Sequence, residues 1–208
     1  FGRDKVNLAW MNRAMKIIPP QYLLEGYRNG VFPMSPARHD DTVKWYQPLW
    51  RGVLPLDGFH LSKNTMRALR RTPHEVAINR DFRAVMALCA ERRSTWISNL
   101  IIESYAALHA IGHAHSVEIY MEGELVGGLY GVSLGGAFFG ESMFHRAPDA
   151  DKFALYYCWE RLRARGFVLW DTQYYTEHLG TFGCLEIEQE EYLELLADAL
   201  AVEAVFAP

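Results

Sequence analysis

The sequence predicts an α+β fold built around a mostly antiparallel sheet, and three neighbouring segments carry that prediction. Ser116–Tyr120, Leu125–Ser133 and Ala137–Phe144 alternate and are separated by Glu122-Gly123 and Gly135-Gly136, the pattern of a three-stranded meander with tight turns. Asp149–Arg165 places Leu155, Cys158, Trp159 and Leu162 on one helical stripe and stops at Gly166. Phe167–Gln173 is apolar and β-like, and is expected to return to the sheet beside the meander.

The bulk numbers agree with a packed fold. A chain of 208 residues allows one large domain or a small one plus a medium one. Half of it is hydrophobic and 13% aromatic, enough for a sizeable core. The formal net charge of −4 argues against a whole-protein electrostatic grip on nucleic acid, so RNA binding would need a local basic patch. Cys89, Cys158 and Cys184 make no CxxC pair and read as free thiols in a reducing compartment. No apolar run approaches the ~18–20 residues that span a bilayer, and no signal-peptide pattern opens the chain. The expectation is a soluble cytoplasmic protein.

Element by element, Phe1–Ile18 yields no assignment. Pro19-Pro20 then break the chain, and Tyr22–Arg28 reads as a short helix ended by Gly30. Val31–Pro36 must be extended or turning, because Pro33 and Pro36 restrict themselves and the residues before them. Thr42–Leu56 carries Trp45, Tyr46, Trp50 and Val53 between turn residues and suits one or two short strands. A small N-terminal domain over residues 1–56 and a larger one over 57–208 follow as the expected division. Ser62–Arg71 is helical with Ser62 as N-cap, Val76–Asn79 a short strand, Asp81–Ala90 a helix, and Ile97–Ile111 another at helical spacing. A last helix runs from about Glu190 to Val202. Helices, then a meander, then helix and strand is the order of an acetyltransferase-like α+β domain. That architecture takes acyl donors of many kinds, so fold alone does not decide function.

Chemistry-bearing residues stand out against this frame. Asp171 and Gln173 end an apolar strand, and side chains two apart share a face, so the pair projects together. Buried polar groups need partners, and the pair serves either a bound ligand or the capping of a nearby loop or helix end. Glu141 follows the run Gly135–Phe139; on an inner strand it needs a cation or a donor, and at a hairpin edge it needs only solvent. His109, His113 and His115 invite a metal, yet Gly112 interrupts the helix and no carboxylate or cysteine completes a set. A capping or strand-start role suits His113 and His115 better. Lys63, Arg67, Arg70 and Arg71 fall at i, i+4, i+7 and i+8 on one helix face, a cationic stripe suited to phosphates or simply to solvent. Trp45, Tyr46, Trp50 and Trp96 offer rings that could stack on an adenine, or pack in a core.

Together these segments resemble one family, the leucyl/phenylalanyl-tRNA–protein transferases. The resemblance lies in Phe32-Pro33, Thr95–Ile97, Gly112–Glu118, Leu125–Val132, Phe139–Phe144 and Asp171–Gln173 in that order. The closing Glu177–Leu179, Phe182-Gly183 and Glu186-Ile187 extend it, so the match covers roughly Tyr22 to Leu200. It implies a small N-terminal domain packed on an acetyltransferase-like (GNAT/Fem-type) domain, no metal or coenzyme, and monomers. The implied reaction moves Leu or Phe, and Met as a further donor, from aminoacyl-tRNA to a protein beginning with Arg or Lys, creating an N-terminal degradation signal.

By the same resemblance Gln173 accepts a proton from, or orients, the attacking α-amine, with Asp171 bonded to its amide and Glu141 close to the acceptor's positive charge. Trp96 matches the residue facing the terminal adenosine, and the stripe Lys63, Arg67, Arg70 and Arg71 falls at the tRNA acceptor stem. Phe138, Leu155, Cys158 and Trp170 are candidates for the donor side-chain pocket. Met34 stands where an aromatic donor contact is common, Cys158 and Trp170 depart from the usual bulkier or aliphatic choices, and His145 replaces a small polar residue. Two other functions remain in view. An enzyme using another acyl donor such as acetyl-CoA would want a glycine-rich pyrophosphate turn, which Arg146–Asp149 does not supply. A tRNA-binding adaptor without catalysis would not need Asp171, Gln173 and Glu141 together.

Overall fold

The computed structural model describes residues 5–6 and 17–207. The helix α1 (Pro20–Arg28) begins on its proline pair, because a proline in the first turn sacrifices an N–H that has no helical partner anyway. It stops at Asn29 and at Gly30, whose φ of +68° is a left-handed conformation. A small three-stranded antiparallel sheet in the order β1-β3-β2 follows, from β1 (Lys5–Val6), β2 (Phe32–Met34) and β3 (Lys44–Tyr46).

The larger sheet has seven strands. They are β4 (Trp50–Val53), β5 (Glu75–Ile78), β6 (Ala114–Met121), β7 (Glu124–Leu134), β8 (Ala137–His145), β9 (Leu169–Gln173) and β10 (Leu185–Glu188), in the order β10-β4-β9-β8-β7-β6-β5. Every neighbouring pair is antiparallel except β8 and β9, which are parallel and joined by α5 (Ala150–Ala164). This is the predicted α+β fold: a meander, a crossover helix and a strand returned beside it. β4 lies before residue 56, where the small domain was expected to end, yet its partners are β9 and β10 of the large sheet. The one or two short strands expected over Thr42–Leu56 are two, and they lie in different sheets.

The helices sit where periodicity and caps put them. Ser62 accepts the N–H of Thr65 ahead of α2 (Lys63–Arg71). Asp81 accepts that of Ala84 ahead of α3 (Phe82–Cys89), and Ser98 that of Ile101 ahead of α4 (Asn99–Ala110). Past β9 come the short α6 (Glu177–Gly180), then β10, then α7 (Gln189–Leu200). Neither α6 nor β10 was expected from the sequence.

Two buried clusters flank the sheet. Tyr27, Val85, Met86, Ile101 and Leu196 pack with Tyr130, Val132 and Phe139 in one. Phe153, Leu155, Cys158 and Leu162 of α5 pack with Leu129, Phe138 and Trp170 in the other. Adjacent residues such as Phe138 and Phe139 fall into different clusters because successive strand side chains point to opposite faces.

Candidate active site

The site begins where two parallel strands separate. β8 and β9 are paired through Ala137↔Leu169, Phe138↔Trp170 and Phe139↔Asp171, and no further. β8 runs on to His145, while the end of β9 pairs with β4 through Gly52↔Gln173. Between β7 and β8 the register shifts from Tyr130↔Ser142 to Gly131↔Gly140, which leaves Glu141 as the extra residue of a bulge. A bulge re-aims one side chain without ending the sheet, and here it is the carboxylate.

Glu141 accepts a hydrogen bond from the Tyr27 hydroxyl and one from Gln173 Nε2 at 3.3 Å. The Tyr27 hydroxyl in turn meets that of Tyr105. Burial pushes the Glu141 carboxyl up to about 8, against the Tyr27 hydrogen bond that holds it down; Asp171 adds to the rise and Arg51 opposes it. At pH 7 a carboxyl raised to about 8 favours its neutral form, and Glu141 is not the charged group expected from the sequence. The hydroxyls of Tyr27 and Tyr105 are pushed up, first by burial and then by Glu141.

Gln173 is 6% exposed and has φ +60°, a left-handed conformation that non-glycine residues occupy at a cost of ~1–3 kcal/mol. Its backbone N–H donates to Asp171 Oδ1 at 2.7 Å. This corrects the expected contact: Asp171 holds the Gln173 backbone, and the carboxamide nitrogen turns to Glu141. With Gln173 out of strand geometry, the two-residue alternation no longer sets its direction.

Asp171 is fully buried and held by residues the sequence reading missed. Arg51 Nε donates to Oδ1 at 2.9 Å and Nη2 to Oδ2 at 2.6 Å, while Tyr192 O–H donates to Oδ2 at 2.7 Å. Arg51 Nη1 reaches the Gly30 carbonyl at 2.9 Å, and the guanidinium lies 5.0 Å from the Phe32 ring centroid and 4.3 Å from that of Tyr192. Burial pushes the guanidinium pKa down and Asp171 pushes it up, with a net rise. A lone arginine in one apolar strand and a lone carboxylate in another, each needing a partner, were the available signal. Gly52 makes the close approach possible: a Cβ there would stand 2.7 Å from the Tyr174 backbone.

A cavity of about 670 Å³ opens onto this constellation. Glu141, Thr172, Gln173, Phe32, Met34 and Trp96 line it, as do Arg92, His145 and Arg146. Ser35 N–H donates to the Trp96 carbonyl at 3.1 Å and the Ser35 and Ser98 hydroxyls meet at 2.9 Å, joining the β2 end to the start of α4. A smaller cavity of about 100 Å³ shares Glu141, Ser142, Met143, Thr172 and Leu179 with the first and adds Leu129, Leu155 and Trp170.

The expected donor residues thus divide. Met34 and Trp96 line the main cavity, and Leu155 and Trp170 the smaller one. Phe138 and Cys158 do not: both are 0% exposed in the cluster under α5, with Phe138 stacked on Phe206 at 5.0 Å. Apolar spacing alone cannot separate a cavity wall from the core behind it. Of the other rings, Trp45 is buried in the core and Trp50 is half exposed.

Lys63, Arg67, Arg70 and Arg71 are exposed on α2, opposite its buried Thr65 and Leu69, and border a surface depression of about 510 Å³. The three histidines each bond to the surrounding fold. His109 bonds the Ala114 carbonyl at 2.7 Å, His113 the Ser133 carbonyl at 3.0 Å, and His115 the Ser133 hydroxyl at 3.0 Å. His145 pairs with Asp151 at 3.1 Å. Cys89, Cys158 and Cys184 are buried free thiols, and no helix among the described residues is long and apolar enough to cross a membrane.

Known proteins match this chain along most of its length. The family profile described as leucyl/phenylalanyl-tRNA protein transferase matches residues 53–197, and that of the same transferase's N-terminal domain matches residues 18–49. A leucyl/phenylalanyl-tRNA–protein transferase of Ruegeria pomeroyi is 52% identical over 190 residues, covering 91% of this chain and 90% of that protein. Those of Cereibacter sphaeroides and Rhodopseudomonas palustris are 49% identical over 191 residues and 50% over 194. They cover 92% and 91% of this chain, and 89% and 86% of their own lengths.

Proposed function

The chain belongs to the leucyl/phenylalanyl-tRNA–protein transferase family, and we propose that it moves Leu or Phe, and also Met, from aminoacyl-tRNA to the N-terminal Arg or Lys of acceptor proteins. The apolar residue so added is a degradation signal, and the enzyme works as a monomer in the cytoplasm. The observation that carries this reading is the contact of Gln173 Nε2 with Glu141 Oε1 at 3.3 Å, in a cleft that Trp96 and Met34 also line.

The reaction asks for little covalent help. The acceptor's amine nitrogen attacks the ester carbonyl carbon, the bond from that carbon to the terminal ribose oxygen breaks, and the amine's proton ends on that oxygen. Aminolysis of an ester runs downhill, so the enzyme chiefly aligns the two reactants and presents an uncharged amine. An α-amino group has a pKa of about 7.7–8.0 and arrives mostly as ammonium. The surplus proton leaves to solvent before attack, because Glu141, raised to about 8, already carries a proton at pH 7 and serves instead to hold the Gln173 carboxamide. Gln173, its nitrogen engaged by Glu141, offers a carboxamide oxygen to an amine N–H and orients the attack. Arg51 and Asp171 hold Gln173 in place and act through it.

The donor side chain occupies the smaller cavity beside Glu141, with Trp96 and Met34 against the terminal adenosine. Lys63, Arg67, Arg70 and Arg71 meet acceptor-stem phosphates without reading sequence. The deciding experiment offers leucyl-, phenylalanyl- and methionyl-tRNA with peptides beginning with Arg, Lys, Asp or Glu. Transfer confined to the Arg and Lys peptides is expected. Transfer to Asp or Glu peptides would contradict the basic-acceptor reading, and no transfer with tRNA still bound would favour a non-catalytic adaptor.

A further inference from the structure

We propose that Arg92 and Arg146, on the rim of the main cavity, bind the phosphodiester that joins the donor's terminal adenosine to the nucleotide before it. This rests on the reading that seats the terminal adenosine against Trp96 and Met34. In an aminoacyl-tRNA the terminal ribose carries the reacting ester on one side and this phosphodiester on the other. A donor whose ester reaches Gln173 therefore brings a fixed negative charge to the cavity with it.

Both arginines line that cavity, as Trp96 and Glu141 do. They come from different walls: Arg92 from the connection between α3 and α4, Arg146 from the residue after β8. Two contacts cross between these walls. Arg92 Nη2 donates to the Met143 carbonyl, and Arg146 Nη2 donates to Glu91 Oε2 at 2.8 Å. The Met143 carbonyl is neutral and leaves the Arg92 charge uncompensated, while His145 and Asp151 pair with each other at 3.1 Å. The side chains of Arg146 and Glu91 are 55% and 51% exposed, and an ion pair so open to water is weak enough to share its arginine with a phosphate. A guanidinium has five N–H donors in a planar fork that matches phosphate oxygens, so each arginine keeps donors for the ligand after these contacts. The contacts also hold both heads in place beforehand, which lowers the cost of ordering them on binding. The same charge repels an acceptor that begins with Arg or Lys, and so favours the donor strand at this rim.

The test compares native leucyl-tRNA with leucyl-tRNA carrying a neutral methylphosphonate at that single linkage, which removes one charge and leaves the rest of the donor unchanged. In the wild type, kcat/KM for transfer to an Arg-initiated peptide should fall by about tenfold or more with the methylphosphonate, the size of a lost charge-assisted contact. In Arg92→Gln and in Arg146→Gln the native donor should lose activity, and the ratio of native to methylphosphonate should shrink by about fivefold or more. Both side chains are exposed, so neither substitution disturbs the core. A merely structural tie between the two walls would lower transfer from both donors alike and leave the ratio where it was. Equal transfer from the two donors in the wild type, or a ratio that survives in both variants, would overturn the inference while leaving the reaction intact. Absence of transfer from native leucyl-tRNA would overturn the reaction as well.

Discussion

Arg51 and Asp171, each no more than 1% exposed, form a two-pronged ion pair with Nε–Oδ1 at 2.9 Å and Nη2–Oδ2 at 2.6 Å. Asp171 Oδ1 also receives the backbone N–H of Gln173, so a charge on β4 sets the conformation of a cleft residue at the end of β9. Sheet pairing alone would leave Gln173 free to continue as strand.

Arg51→Met should lower unfolding free energy by about 3–5 kcal/mol, because it strands a buried carboxylate. Arg51→Lys should recover only part of this, since an ammonium cannot reproduce the fork. Urea denaturation of the two variants measures both numbers, and a loss below about 1 kcal/mol for Arg51→Met would show that the pair stabilises nothing.

Glu141 should make stability depend on pH in a defined direction. Its folded pKa of about 8 lies above the roughly 4.3 of an unfolded glutamate, so folding favours the protonated form. The contribution is complete below about pH 4.3, and is lost as pH rises through about 8 at up to about 1.4 kcal/mol per unit. Glu141→Gln lacks this dependence. The stability of the wild type relative to Glu141→Gln should therefore decline from pH 5 to pH 9, and a constant difference in Tm would contradict the shift.

Gln173→Ala should cut kcat/KM for transfer by about 100-fold, the size expected for losing alignment of the attacking amine. Affinity for aminoacyl-tRNA should stay within about twofold, which filter binding can measure. Unchanged turnover would remove Gln173 from the mechanism.

Arg67→Glu with Arg70→Glu should weaken tRNA binding at every salt concentration. The slope of log affinity against log salt should become shallower by about 1 for each phosphate that is no longer neutralised. An unaltered slope would place the acceptor stem elsewhere on the surface.

The helices, the meander and the returning strand were legible in the chain itself, because each is written in short-range terms. Ser62, Asp81 and Ser98 cap helices from within three residues, and alternation in Ser116–Phe144 carries the sheet. The basic stripe on α2 was legible for the same reason, as was the arrival of Asp171 and Gln173 at a strand end. Tertiary structure alone decided what these groups do. Arg51 meets Asp171 across 120 positions and Tyr27 meets Glu141 across 114, and no local pattern encodes such pairs. They form because a buried charge or hydroxyl must find its complement wherever the fold brings one. Packing likewise sorted Leu155 and Trp170 to a cavity and Phe138 and Cys158 to the core. Hydrophobicity drives all four out of water alike, and only their places in the packed fold decide which of them line the cavity.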